Sequence, residues 1–280
     1  ENDNRVFPQS NDGHDVVKIF EDLFESNNAD LHLLAGVTEV LKQDDGFLVK
    51  TNNEEYVVDA VILPTGGNAY RHTGSTGDGY AFATALGHSI TELGPSLNSF
   101  MIKEDWPKAL SGISLENARL KFNKVAVDGP LLFTHFGISG PVTFSLSSQI
   151  AFEHISEKTP LEIQLIPDAT KTFEDWEQDL LNASTKEGKK QLNTYMQTMF
   201  PKRLVDSLLA LAQVQRDLPL IELSKQERKS LSKVLSGGIT LTLQQRRPGD
   251  EFVTAGGVST DEINPQTMES LVTPNLYFAG

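Results

Sequence analysis

Cysteine is absent from the 280-residue chain. Disulfides, thiolate nucleophiles, iron–sulfur clusters and zinc–thiolate sites are therefore outside its chemistry, and a reducing, cytoplasmic setting is the expectation. Long apolar runs are missing too. None approaches the ~20 residues that a membrane-spanning helix requires, and the stretch from Glu1 to Pro8 is too polar for a signal peptide. Positive charge is in short supply, with 24 Lys and Arg against 38 Asp and Glu and a net charge of −14. A duplex-binding protein needs a basic face to neutralise phosphates, and an anionic membrane surface makes the same demand. Neither nucleic acid nor membrane is expected as a partner. The histidines at 14, 32, 72, 88, 135 and 154 show no metal-ligand spacing, so no metal site is expected. Repeats and low-complexity tracts are lacking as well.

What is present is an ordinary globular composition, 39% hydrophobic and 22% charged. The length suits two or three compact units. Val16–Phe24 carries apolar residues at helical spacing after the potential caps Ser10 to Gly13. Leu31–Leu34 reads as a short buried strand. Gly36–Leu41, Gly46–Thr51 and Tyr56–Asp59 read as a meander with turns between them. Ala60–Pro64 is too short for a helix and is bounded by glycine, which predicts a core strand. A small-residue helix follows over Gly79–Gly87. This order is α/β organisation, as in the second half of a nucleotide-binding domain. From about Gly94 the texture turns to strands, predicted at Arg119–Phe122, Lys124–Val127, Leu131–Phe133, Val142–Leu146 and Leu161–Leu165. Between Thr172 and Leu235 it is helical and charged, with helices predicted at Phe173–Leu181, Gly188–Met199, Pro201–Val214 and Lys225–Val234. Pro201 suits a first helical position, and Ser224 with Glu227 resembles a capping box. Strand texture returns at Ile239–Leu243. The helical block thus lies between strand-rich pieces, as an insertion within an insertion.

Several constellations can carry chemistry. A buried strand ending in Thr65-Gly66-Gly67 brings bare backbone to a sheet's carboxyl edge, where open α/β folds bind ligands. A plain tight turn fits the segment equally well. Thr73 to Gly79 runs into the small-residue helix, whose first amides suit a phosphate or a flavin's polar edge. The spacing is neither a Rossmann fingerprint nor a phosphate loop. In Leu132 to Pro141, His135 sits in a constrained loop between Thr134 and Gly137. It suits a proton donor near neutral pH, or simply a packed histidine. Arg246-Arg247 could meet an anion, although a solvated hairpin accounts for the pair as well. The tail passes through Ala255-Gly256-Gly257-Val258 and ends on an apolar strand that stops at Ala279-Gly280.

The ordered segments RVFP, LPTGG, TGSTGDGYA, LSGISL, LLFTHFGISGP, LSGGI, TAGGVSTDEINPQTMES and NLYFAG span nearly the whole chain. Together they resemble the bacterial NAD(P)/FAD-dependent flavoproteins that include bile-acid-reductase-type oxidoreductases. The resemblance implies an α/β fold: a partial FAD-binding Rossmann-like domain interrupted by a small β-barrel with a nested helical insert. The corresponding boundaries are 1–93 and 250–280 for the cofactor part, 94–167 and 236–249 for the barrel, and 168–235 for the helices. It places Thr65, Gly66, Gly67, Gly77, Asp78, Gly79, Ala279 and Gly280 around FAD. Gly256, Gly257 and Arg5 to Pro8 are implied on the flavin side, and the Val37 backbone beside the adenine. NAD(P)H is the implied electron donor, a small molecule the implied acceptor, and reduction of an activated double bond the implied reaction. His135 is the candidate proton donor.

The family's amino-terminal glycine fingerprint has no counterpart here, since G-x-G-x-x-G occurs nowhere in these residues. Nor does the glycine-rich closing segment expected after Gly280. The chain therefore reads as a fragment, expected to hold FAD weakly or not at all by itself and to be inactive alone. The competing class is a non-catalytic binding module built on the barrel and helical inserts. A dehydrogenase using pyridine nucleotide alone fails for want of a second fingerprint.

Overall fold

The computed structural model describes residues 6–280. The chain divides into two compact units, Glu1–Val61 and Ile62–Gly280. In the first, helix α1 (Gly13–Ser26) opens where the Asp12 carboxylate accepts the His14 N–H at 3.0 Å. Its apolar face, with Val16, Val17, Ile19, Phe20, Leu23 and Phe24, is exposed. Strands β1 (Val37–Lys42), β2 (Phe47–Thr51) and β3 (Glu55–Val58) form the expected antiparallel meander. Leu31–Leu34 is a correction: it forms no strand, and Leu31, Leu33 and Leu34 are exposed. Leu34 adopts φ +57, which breaks the extended chain a strand needs.

The second unit begins with β4 (Val61–Leu63), which starts on the last residue of the first unit, and with α2 (Asp78–Ala85). Strand β5 (Gly94–Ser96) leads to β6 (Phe100–Ile102), the short helix α3 (Asp105–Lys108), β7 (Ser114–Phe122), β8 (Val125–Thr134) and β9 (Gly137–Ser139). Helix α4 (Pro141–Gln149) and β10 (Leu161–Ile166) follow. The helices α5 (Phe173–Lys186), α6 (Leu192–Met196), α7 (Lys202–Ala212) and α8 (Lys225–Leu235) come next, before β11 (Ile239–Arg246), β12 (Val253–Ala255) and β13 (Leu276–Phe278). Six strands close into a barrel in the order β10-β11-β6-β9-β8-β7. Closure removes exposed strand edges. Alternate residues fill its interior, for example Ile239, Leu241 and Leu243 on β11. The four helices α5 to α8 enter the chain between β10 and β11, and their apolar faces share one core with the barrel.

Two strand expectations are corrected here. Val142–Leu146 is not a strand but lies in α4. Gly140 turns the chain at φ +93, Pro141 occupies the first turn, and Val142, Leu146 and Ile150 are buried at helical spacing. The small polar residues Thr143 and Ser147 are buried on the same helix and mask that period in the sequence. Lys124–Val127 and Leu131–Phe133 are one strand, β8, running through Gly129 and Pro130. Proline has no N–H to give, and the β7 register shifts between Leu115 and Ala118, opposite it. Pro201, expected as the first helical residue, is instead the cap of α7. The predicted helix Gly188–Met199 shortens to α6, because the Lys190 carbonyl accepts the Leu220 N–H and the Leu192 N–H donates to the Leu218 carbonyl, bonds that hold the chain extended up to the first helical residue.

Candidate functional site

Strands β4 and β13 lie side by side although more than two hundred residues of chain separate them. Pro64 cannot extend the ladder, so the chain leaves β4 at once into Thr65-Gly66-Gly67. The Ala279 N–H donates to the Leu63 carbonyl at 3.3 Å, which sets the second turn against the first. Gly66 adopts φ +68 and Gly280 φ +121. A side-chain carbon added at Gly280 would stand 3.7 Å from Gly66 Cα. Two bare backbones therefore meet at one sheet edge.

The neighbouring loops complete a concave wall. At Gly67 an added Cβ would lie 2.5 Å from Thr254 Oγ1 and 3.1 Å from the Tyr80 hydroxyl. Thr254 Oγ1 accepts the Asn68 N–H at 2.7 Å, and Ser75 Oγ donates to the Gly67 carbonyl at 2.8 Å. Gly77, at φ +86, caps α2, and Asp78 is its first residue. Opposite, Gly256 (φ +82) packs against the Glu92 carbonyl. The Gly257 carbonyl accepts the Thr91 N–H at 2.8 Å, and its own N–H donates to Thr91 Oγ1 at 3.1 Å. Between these segments lies a cavity of about 740 Å³. Its wall is apolar with hydroxyl groups, and no Asp, Glu, Lys or Arg is among the described residues that line it. Burial pushes the phenol of Tyr80, one of the lining residues, above its ordinary pKa.

Of the residues singled out in the sequence, Thr65, Gly66, Gly67, Gly79, Gly256, Gly257, Ala279 and Gly280 all line this cavity. Gly77 and Asp78 do not; they set the start of the helix behind it. Val37 lies on β1 in the first unit. Of the implied flavin-side segment Arg5 to Pro8, Arg5 is outside the described residues, and Val6, Phe7 and Pro8 lie in the first unit. Exposed His135 is not part of the wall either. It occupies the turn between β8 and β9, edge-on to Phe136 at 5.1 Å, and the Arg247 guanidinium covers that ring at 4.1 Å. The solvated reading of Arg246 is corrected. Its guanidinium donates to Ser147 Oγ at 2.9 Å and to the Ile150 carbonyl at 2.5 Å, at the carboxyl end of α4. Burial lowers its pKa to about 10, so it stays charged at neutral pH. The sequence reading missed Tyr70 and Phe252 in the wall, while Thr254, at the head of the tail turn it singled out, lines the cavity. Both rings lie within a few residues of a glycine turn, and that proximity was the available signal.

Ser270, His88 and Glu262 also form a hydrogen-bonded row, a geometry that suggests nucleophilic catalysis. Burial argues against it, because the hydrogens run as they would in such a row but Ser270 and His88 are both closed off from a substrate. Ser270 Oγ accepts the Val272 and Thr273 N–H groups at 3.0 and 2.7 Å. Its own proton therefore goes to His88 Nε2 at 2.8 Å, and His88 Nδ1–H donates to Glu262 at 3.0 Å. With Ser270 only 6% exposed, the row is a clamp that ties the loop before β13 to the chain after α2.

A sheet edge with paired glycine turns, hydroxyl groups and no fixed charge is the kind of place where open α/β folds take ligands. The chain belongs to the family described as the HI0933-like protein Rossmann domain, whose model matches residues 1–280. It is 27% identical over 288 aligned positions to a 3-dehydro-bile acid delta(4,6)-reductase of Clostridium scindens, covering 98% of this chain and 68% of that protein. Ribosomal RNA dihydrouridine synthases are similar too. The Escherichia coli protein is 26% identical, covering 95% of this chain and 64% of that protein, and the Haemophilus influenzae protein is 27% identical, covering 95% and 65%. The chain thus spans about two thirds of the length of these relatives. The family and the reductase relative support FAD-linked oxidoreductase chemistry. Among the described residues, no helix is long and apolar enough to cross a membrane.

Proposed function

We propose that this chain supplies the cofactor cleft and the substrate-side barrel of an FAD-dependent reductase that draws electrons from NAD(P)H and saturates an activated carbon–carbon double bond of a small organic acceptor. The observation that carries the reading is the meeting of Thr65–Gly67 with Ala279–Gly280 at the end of β4 and β13. The residues fit the cofactor. Among the described residues, neither Gly66 N–H nor Gly67 N–H finds an acceptor, so both are available to a ligand's oxygen or nitrogen. The wall carries no carboxylate to repel a phosphate, and its hydroxyls suit a ribityl chain. The volume of about 740 Å³ falls within the range of about 300–1,000 Å³ typical of ligand sites. Bound flavin supplies the hydride chemistry; the protein supplies position and exclusion of water.

The names of the relatives favour double-bond reduction. A 3-dehydro bile acid with 4,6-unsaturation carries alkenes conjugated to a ketone, and dihydrouridine is uridine with its ring double bond reduced. The two dihydrouridine synthases also raise the reading of an RNA acceptor. The net charge of −14 opposes it and favours a free small molecule. For the proton that completes saturation we propose His135, on the turn between β8 and β9, which lies outside the cavity wall and would have to meet an acceptor projecting from the cleft. Residues 1–93 and 250–280 form the cofactor part in this scheme, 94–167 with 236–249 the barrel, and 168–235 the helical insert.

The test is anaerobic titration of the full-length gene product with NADH and NADPH. Bleaching of a flavin band, restored by a conjugated enone, is the expected outcome. His135→Gln should leave bleaching intact and slow reoxidation by the enone by about 10²-fold or more, the scale of general acid catalysis. A colourless protein overturns the flavin assignment and leaves the non-catalytic module in its place.

A further inference from the structure

The cavity wall carries two large exposed aromatic rings besides its glycine turns. Tyr70 and Phe252 both line the cavity, yet they remain 44% and 49% exposed. Large aromatic rings left half in water at the mouth of a ligand site are costly unless something covers them. The rings meet edge to face at 5.8 Å and 74°, and Phe144 backs Phe252 at 5.3 Å.

Tyr70 is also held in an unfavourable backbone conformation, φ 56 and ψ 46, which L side chains rarely adopt. Strain of this kind persists only where surrounding bonds over-determine it, and it clusters at functional positions. Here the bonds are visible. The Tyr70 carbonyl accepts both the N–H and the hydroxyl of Thr73 at 2.8 Å. Arg71 donates to Asn68 Oδ1 at 3.2 Å, and the Asn68 N–H is fixed to Thr254 Oγ1 at 2.7 Å. The chain thus pins one ring to the loop after β4 and sets the other beside β12. No charged residue among those described lines the cavity, so the platform suits a neutral ligand.

We propose that Tyr70 and Phe252 form the acceptor platform: a flat, uncharged ring containing a carbonyl-conjugated double bond stacks on the face of one and meets the other edge-on, facing into the cleft. This rests on the reductase reading above and goes beyond it by naming the ligand shape and the side chains that select it. Such a ring could belong to a free enone or to a uracil within RNA, and the probes separate these sources.

Equilibrium dialysis of the full-length gene product against androst-4-en-3-one, uridine and a uridine-rich RNA oligonucleotide reads binding without relying on turnover. The dissociation constant of the bound probe should rise about tenfold in Tyr70→Ala and in Phe252→Ala, the scale of one lost aromatic stack. Phe252→Leu, which keeps apolar bulk, should lose affinity similarly. Tyr70→Phe and Phe252→Tyr should restore it, with FAD content equal to wild type throughout. Binding of the steroid alone identifies a free acceptor; binding of the oligonucleotide alone identifies a polymer; either supports the platform. It is overturned if the alanine variants bind as tightly as wild type, if no probe binds, or if affinity falls only as FAD content falls. A colourless protein that still binds a probe through Tyr70 and Phe252 would sink the reductase reading and keep the platform.

Discussion

A methyl group at Gly67 would press on Thr254 Oγ1 at 2.5 Å, and Thr254 holds the Asn68 N–H. Gly256 is tighter, since its added carbon would collide with the backbone carbonyl of Glu92 at φ +82. Gly74 has φ +95 but open space around it. Alanine at these positions should therefore grade in cost. Gly74→Ala should lose about 1 kcal/mol from left-handed strain alone. Gly67→Ala should lose about 1–3 kcal/mol with the broken hydrogen bond, and Gly256→Ala the most, because backbone cannot rotate aside. Urea unfolding of the three variants gives the order directly. Equal costs would show that contact at the turns is irrelevant.

Glu262 offers a pH test at the same scale. The Ser89 N–H, at 2.9 Å, is the main group holding its carboxyl below the ordinary 4.5, with His88 adding to it. A depressed folded-state pKa gives stability that is complete above 4.5 and lost as pH falls through the folded value. Glu262→Gln should thus be less stable than wild type at pH 7, and the difference should shrink below pH 4.5. A gap that stays constant down to pH 3 would remove the clamp from the description.

Elements were legible where one physical signal dominated. Ser224 and Glu227 form the expected capping box on α8, with Glu227 N–H to Ser224 Oγ at 3.2 Å and Ser224 N–H to Glu227 at 2.8 Å. Ser224→Ala should cost about 1 kcal/mol, checked by the denaturation midpoint, whereas Ser230→Ala tests an ordinary side-chain bond to the Ala212 carbonyl. The meander β1 to β3 was equally readable, because Gly46 and the polar turns punctuate it. Failures came where local and long-range terms disagreed. Val142–Leu146 is β-branched and apolar enough for a strand, but Gly140, Pro141 and the buried hydroxyls of Thr143 and Ser147 belong to a helix packed on the barrel. Thr143 settles its hydroxyl on the Ser139 carbonyl at 2.9 Å, a satisfaction that no single-residue propensity reports. Arg246 illustrates the same limit. Nothing local says that a dibasic pair will send one member inward to the end of α4.

At the scale of the molecule, the cleft is assembled from Thr65–Gly67, Gly256–Gly257 and Ala279–Gly280, segments distant in sequence that only the fold unites. Their glycines were visible in the sequence, since bare backbone is itself a chemical signal. The aromatic rim was not, because Tyr70 and Phe252 look like ordinary core residues until their exposure is known. Barrel and helices share one core: Trp176, Leu208 and Leu235 pack in the same cluster as Phe100 and Phe133 of the barrel. The most direct measurement of the central claim is the visible spectrum and FAD content of the purified full-length gene product, beside Gly67→Leu as a blocked cleft. Near-stoichiometric FAD in the native protein and its loss in the folded variant is the expected result. Equal FAD in both would place the cofactor elsewhere, and none in either would contradict the flavoprotein assignment outright.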